Sequence, residues 1–153
     1  MSERLTVGDA CVRDVTVAFR QTTVDGAARL MRENHVGCVV VVEEAQGERT
    51  VVGVLTDRDI VIGVVAAGLD PATLRVEDVM STDLVTARED DSLLDLMRTM
   101  RQKGVRRVPV VGAQAVLVGI VAFDDVLGAL SLELSLLVGA IDSEGQRERR
   151  LRK

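Results

Sequence analysis

Aromatic side chains are almost absent: two Phe, no Trp and no Tyr in 153 residues. A core must therefore be assembled from Val, Leu, Ile, Ala and Met, and the stacking platforms that hold single-stranded nucleic acid are missing. Cysteine and histidine are equally scarce, with two and one. Their wide spacing does not make a zinc site, and a Cys11–Cys38 bridge would be uncommon in a reducing compartment. No charged-then-apolar leader opens the chain at Met1-Ser2-Glu3-Arg4, and no uncharged apolar run is long enough for a membrane span. A cytoplasmic protein is expected. Basic charge is nearly all arginine, 17 Arg against 2 Lys, within a net charge of −5. That balance argues against a broad phosphate-backbone footprint, while arginine suits bidentate contacts to single phosphates or carboxylates.

What the chain does have is self-similarity. Shifted by 69 residues, Val7–Val42 lies on Val76–Val111 without a gap, with 11 of 36 positions identical. Among them are Asp9/Asp78, Asp14/Asp83, Met31/Met100 and Val36/Val105. A shift of 66 then aligns Val52-Gly53 with Val118-Gly119 and Asp59 with Asp125. The three-residue difference falls between Glu43 and Thr50, in a polar segment that reads as a hairpin turn, where indels are tolerated.

Each repeat predicts a helical turn (Val7–Cys11; Val76–Met80) and a short extended piece (Val15–Ala18; Leu84–Ala87). An amphipathic helix follows, with stripes Val24, Ala27, Ala28, Met31 and Leu93, Leu96, Met97, Met100. Two strands come next (Gly37–Val42 and Val51–Leu55; Arg107–Val111 and Val116–Val121), then an apolar helix (Asp57–Ala67; Asp124–Ala140). The expected fold is α/β (α+β): two pseudo-symmetric β-α-β-β-α units, residues 7–69 and 76–140, packed through their sheets. Residues 143–153, SEGQRERRLRK, read as a charged flexible tail. The helices from Ile60 and from Val126 are greasy on every face, so they need cover from both sides; a homodimer supplies it most simply.

Thr56-Asp57-Arg58-Asp59 has capping-box spacing. His35, ending a helix, suits a favourable C-terminal charge position better than a catalytic one. Ser/His/Asp order, a phosphate-cradling Gly-Lys loop and metal-ligand spacing are all missing, so an enzyme is not expected.

The segments VGVLTDRDIV in the first repeat, and VEDVM, MRQKGVRRVPVV and LVGIVAFDDV in the second, resemble a tandem pair of CBS domains, the arrangement called a Bateman module. The likeness extends to small stand-alone bacterial members such as the actinobacterial hypoxic response proteins. It implies two clefts between the repeats and, in a used cleft, a regulatory adenosine compound: AMP, ADP, ATP or a related adenosyl ligand. No cofactor in the catalytic sense is implied. By the resemblance, Thr56 and Asp59 meet the ribose hydroxyls, and Arg106 and Arg107 meet phosphate from the facing repeat. Strand alternation lets only one arginine of the pair face the cleft, and both are carried as candidates. Asp125 is a weaker one, because Ala122 and Phe123 replace the hydroxyl side of its turn and the facing positions, Gly37 and Cys38, carry no charge. One competent cleft is expected, in a non-enzymatic sensor that answers to a protein partner. Two alternatives stay open. Thr56 and Asp59 can cap a helix with no ligand present, and the protein can be a ligand-free dimerisation scaffold, redox-responsive through Cys11 and Cys38.

Overall fold

The computed structural model describes residues 4–152. In the first half, helical turn α1 (Val7–Ala10) and strand β1 (Val17–Ala18) precede helix α2 (Val24–Asn34). Strands β2 (Cys38–Ala45) and β3 (Glu48–Thr56) follow, then α3 (Asp57–Ile60), which runs on as a π-helical turn, Val61–Val65. In the second half, α4 (Val76–Val79) and α5 (Leu93–Lys103) lead to β4 (Arg107–Val111), β5 (Leu117–Ala122) and a long helix α6 (Phe123–Leu151).

Strand β1 pairs parallel with β2, and β2 antiparallel with β3. The second sheet has only β4 and β5. The extended piece expected at Leu84–Ala87 forms no strand; it is reduced to one parallel bridge from Ala87 to Val110. The β2–β3 hairpin closes on Gln46 and Gly47, both at positive φ (54° and 79°), the conformation that matches strand twist across a two-residue loop. Its counterpart between β4 and β5 is the single 3-10 turn Ala113–Ala115. The three-residue offset between the repeats is the difference between these two connections.

The two halves exchange their leading turns. Val7 and Ala10 of α1 are buried among Leu93, Leu96, Met100, Val108 and Val126 of the second half. Val76 of α4 is buried among Val24, Ala27, Met31, Leu55 and Val64 of the first. Backbone pairing repeats the exchange: the Val7 N–H donates to Asp91 O at 2.9 Å, and the Val76 N–H to Thr22 O at 2.8 Å. Val12 and Ile120 exchange two bonds, as do Ser81 and Val54. A third apolar cluster, built on Val40, Val42, Val51 and Val111, lies between the sheets.

Two expectations are corrected. The run Ile60–Ala67 is helical, but Val61–Val65 within it is a π turn. Only Ile60 and Val64 are buried, while Val61, Ile62 and Val65 face solvent. The charged tail expected from 143 is not a frayed end: α6 continues through it to Leu151, and Lys153 lies outside the described residues. By length and composition α6 is also apolar enough to cross a membrane, which the sequence reading did not anticipate; Glu133 interrupts its apolar stretch.

The exchange leaves no room over two glycines. A Cβ on Gly119 would lie 2.6 Å from Val12 O and against Cys11 Sγ, and one on Gly53 would lie 2.6 Å from Met80 Sδ. Met80 is flexible; the Val12 carbonyl is fixed in a bridge. Gly119→Ala is expected to lower unfolding stability by about 1–3 kcal/mol through overpacking, read as a lower urea midpoint at unchanged slope. A loss below about 0.5 kcal/mol, the scale of an ordinary surface change, would contradict the close packing of α1 on β5.

Candidate functional site

The best-furnished cavity lies where the two halves meet, with a volume of about 340 Å³. Thr56, Asp57, Arg58 and Asp59 line it from the first half, and Asp83, Arg106 and Arg107 from the second. All four principal candidates, Thr56, Asp59, Arg106 and Arg107, are therefore brought to one hollow.

The β3–α3 turn is fixed by a reciprocal cap. The Asp59 N–H donates to Thr56 Oγ1 at 3.1 Å, and the Thr56 N–H donates to Asp59 Oδ2 at 2.9 Å. The turn is docked onto β2 by the Asp57 N–H, which donates to Gly37 O at 3.0 Å. This box uses the Thr56 oxygen as acceptor and one carboxylate oxygen. Among the described residues, the Thr56 hydroxyl proton and Asp59 Oδ1 make no hydrogen bond within the protein. The cap thus leaves a donor and an acceptor free on the same two half-buried side chains.

Both arginines line the cavity, against the alternation expected of strand neighbours. Arg106 precedes the first residue of β4, so strand alternation does not constrain it. Its guanidinium lies over the Phe123 ring, 5.4 Å from the centroid, a cation–π placement. Arg107 reaches across to the first half: a Cβ on Gly37 would sit 3.0 Å from Arg107 Nη2 and 2.9 Å from Asp57 Oδ2. Glycine at 37 lets that guanidinium and carboxylate close over the strand end.

Sequence reasoning missed Asp57, Arg58 and Asp83. The first two stood inside the capping segment. Asp83 stood in the repeat alignment opposite Asp14 but was read only as a mark of duplication. With them the lining holds three carboxylates (Asp57, Asp59, Asp83) and three guanidiniums (Arg58, Arg106, Arg107), a near-neutral, strongly polar wall.

The pseudo-equivalent turn keeps the backbone half of this cap but not its side-chain chemistry. Asp125 Oδ2 accepts from the Ala122 N–H at 2.8 Å, but Ala122 supplies no hydroxyl. Asp125 does not line the cavity that holds the other candidates. Phe123 instead walls an apolar groove between α5 and α6. His35 is exposed at the C-terminal end of α2 in the left-handed region, φ 54°, away from the cavity lining.

Cys11 and Cys38 are both free thiols, in line with a bridge being uncommon in a reducing compartment. Cys11 packs on Gly119, whereas Cys38 pairs with Thr56 across the first sheet. Burial pushes the Cys38 thiol up to about 12; Arg107 works against that rise, and Asp59 and Asp57 add to it. Burial likewise raises the Cys11 thiol. Among the described residues, no group of three or more His, Cys, Asp or Glu is placed to hold a metal ion.

These features define a two-repeat fold whose repeats exchange their leading turns and share an inter-repeat cleft. The chain belongs to the CBS-domain family, whose domain matches residues 7–65 and 76–132; CBS pairs are regulatory modules. It is 40% identical over 119 residues to the CBS domain-containing protein YhcV of Bacillus subtilis, covering 78% of this chain and 81% of YhcV. It is 34% identical to Hypoxic response protein 1 of Mycobacterium tuberculosis, covering 79% of this chain and 82% of that one. To the protein MK0525 of Methanopyrus kandleri it is 36% identical over 80% of this chain, and it spans only 61% of that protein's length. Among solved structures, Hypoxic Response Protein I with two coordinated zinc ions superposes with a TM-score of 0.70 at 32% identity, covering 80% and 97% of the two chains. The CBS domain pair of MJ0100, in complex with 5-methylthioadenosine and S-adenosyl-L-methionine, superposes at 0.76 with 22% identity, covering 86% and 99%. That last likeness concerns the fold.

A thiol that titrates near 12 is almost wholly protonated at pH 8 and therefore unreactive. Iodoacetamide at pH 8 is expected to leave Cys38 unlabelled in the folded protein and to label it fully in urea, as read by peptide mass spectrometry. A raised folded-state value stabilises the fold below the unfolded thiol's ordinary range. That contribution is lost as pH climbs from about 9 towards 12. Rapid native labelling of Cys38 would contradict its burial behind the Thr56 turn.

Proposed function

We propose that the protein is a non-enzymatic sensor that holds one adenosine-containing ligand per chain in the cleft between its repeats. The observation that carries this reading is the convergence of Thr56, Asp59, Arg106 and Arg107 on one cavity, with a hydroxyl proton and a carboxylate oxygen left over from the helix cap. Asp59 Oδ1 accepts from ribose hydroxyls, and charge-assisted bonds of that kind are the strong ones. Thr56 donates beside it. Arg107, and Arg106 from its perch on Phe123, meet phosphate. A near-neutral lining suits a ligand of low charge, a monophosphate or an adenosyl compound, better than a triphosphate. The adenosine ligands of the MJ0100 pair support the choice of chemical class. No catalytic role is proposed.

Because the cavity takes side chains from both repeats, a ligand there favours the closed relation of the halves. It shifts any equilibrium between arrangements by its differential affinity for them. The arrangement of the halves, and of a homodimer covering the exposed faces of α3 and α6, is then what a protein partner reads.

The test is a thermal-shift screen with AMP, ADP, ATP, NAD, S-adenosylmethionine and methylthioadenosine. At about 100 times Kd the expected stabilisation is about 2.7 kcal/mol. Asp59→Ala is expected to abolish the shift and to cost about 1 kcal/mol without ligand, through the lost cap. Arg107→Ala is expected to weaken AMP while leaving methylthioadenosine, which has no phosphate, unchanged. If none of these compounds moves the melting curve, the sensor reading fails.

A further inference from the structure

Arg106 belongs to two cavities at once. It lines the inter-repeat cleft with Thr56 and Asp59. It also lines the groove between α5 and α6, a hollow of about 610 Å³ walled by Met97, Met100, Phe123 and Leu130. The segment that carries it, Gly104–Arg106, is common to both linings and forms the wall between them. Phe123 lines the groove and not the cleft.

The backbone of this wall is pinned. The Val105 N–H donates to Met100 O at 3.1 Å, and the Phe123 N–H donates to Arg106 O at 2.7 Å. The Arg106 side chain is not pinned. It is exposed, and among the described residues it makes no ion pair. Its guanidinium rests over the half-exposed Phe123 ring instead, 5.4 Å from the centroid. The scaffold does not demand this contact. At the corresponding positions the first half has Gly37 and Asp57. It keeps the same backbone bond, from the Asp57 N–H to Gly37 O at 3.0 Å, with no side chain at 37 to stack on anything.

We infer that Arg106 couples the two cavities: phosphate in the cleft draws its guanidinium off Phe123 and uncovers the ring in the α5–α6 groove. This rests on the nucleotide reading of the cleft and adds how occupancy is passed on from it. The strengths of the two contacts set the direction. A guanidinium over an exposed ring gains a weak electrostatic attraction, whereas on phosphate it makes charge-assisted and often bidentate hydrogen bonds. A phosphate within reach therefore wins. Phe123 is the first residue of α6, so the change is felt where α6 meets α5. The groove then answers to phosphate and not to adenosine. A phosphate-free adenosyl compound fills the same cleft and leaves Arg106 on the ring.

The chain has two Phe, so labelling the full chain with para-fluorophenylalanine gives two fluorine resonances, which Phe19→Leu assigns. AMP and methylthioadenosine are titrated separately, with binding measured in parallel by calorimetry. AMP is expected to move the Phe123 resonance with the calorimetric Kd and to leave that of Phe19, which lines neither cavity. Bound methylthioadenosine is expected to leave both in place. Arg106→Gln is expected to shift the Phe123 resonance without ligand and to abolish its response to AMP, which still binds through Arg107 about tenfold more weakly. Calorimetric binding of AMP with an unmoved Phe123 resonance would overturn the inference and leave the sensor reading standing. Equal movement with methylthioadenosine would do the same, because the ring would then follow the filling of the cleft and not its phosphate. If neither compound binds, the sensor reading falls and the coupling falls with it.

Discussion

The reciprocal exchange of leading turns is the constraint from which the rest of the architecture follows. Neither half keeps its own: α1 completes the core under α5 and α6, and α4 completes the core under α2 and α3. Units of about 60 residues bury too little surface to be secure by themselves. Here each is made whole by a segment of the other. The bridges Val12–Ile120 and Val54–Ser81 then hold the turns against the neighbouring strand at backbone level, where side-chain substitution cannot easily undo them.

The same exchange makes a cavity. Because α4 leads the second half into the first, the segment after it, with Ser81 and Asp83, is laid along the mouth of the Thr56 turn. Pseudo-symmetry supplies two such mouths, and the chemistry of a few positions separates them. Arg106 and Arg107 stand where the other half has Gly37 and Cys38; Thr56 stands where it has Ala122. Even the backbone contact is shared, with the Asp57 N–H on Gly37 O and the Phe123 N–H on Arg106 O. A duplicated scaffold has thus become one polar cavity and, on the other side, a phenylalanine that closes an apolar groove and supports an arginine.

Much of this was legible in the sequence, for identifiable reasons. The repeat, the order of elements and the Thr56–Asp59 turn all depend on local patterns: periodicity, capping spacing and the placing of an indel in a hairpin. The exchange was not legible, because self-similarity says which segments correspond and not which core each one enters. Leu84–Ala87 was read as a strand by analogy with Val15–Ala18, yet the second sheet keeps only Ala87 of it. The π turn at Val61–Val65 is not something a capping rule registers. The α6 extension was hidden because its final third is charged.

The central claim is that groups from both halves act on one ligand, and amide chemical shifts read this most directly. A 15N-labelled chain is titrated with AMP and, separately, with methylthioadenosine. The account predicts that the largest AMP shifts fall together on Thr56–Asp59 and Gly104–Arg107, saturating at one ligand per chain, with Ala122–Asp125 little moved beyond the contact of Phe123 with Arg106. Shifts confined to one half, or centred on Asp125, would contradict it.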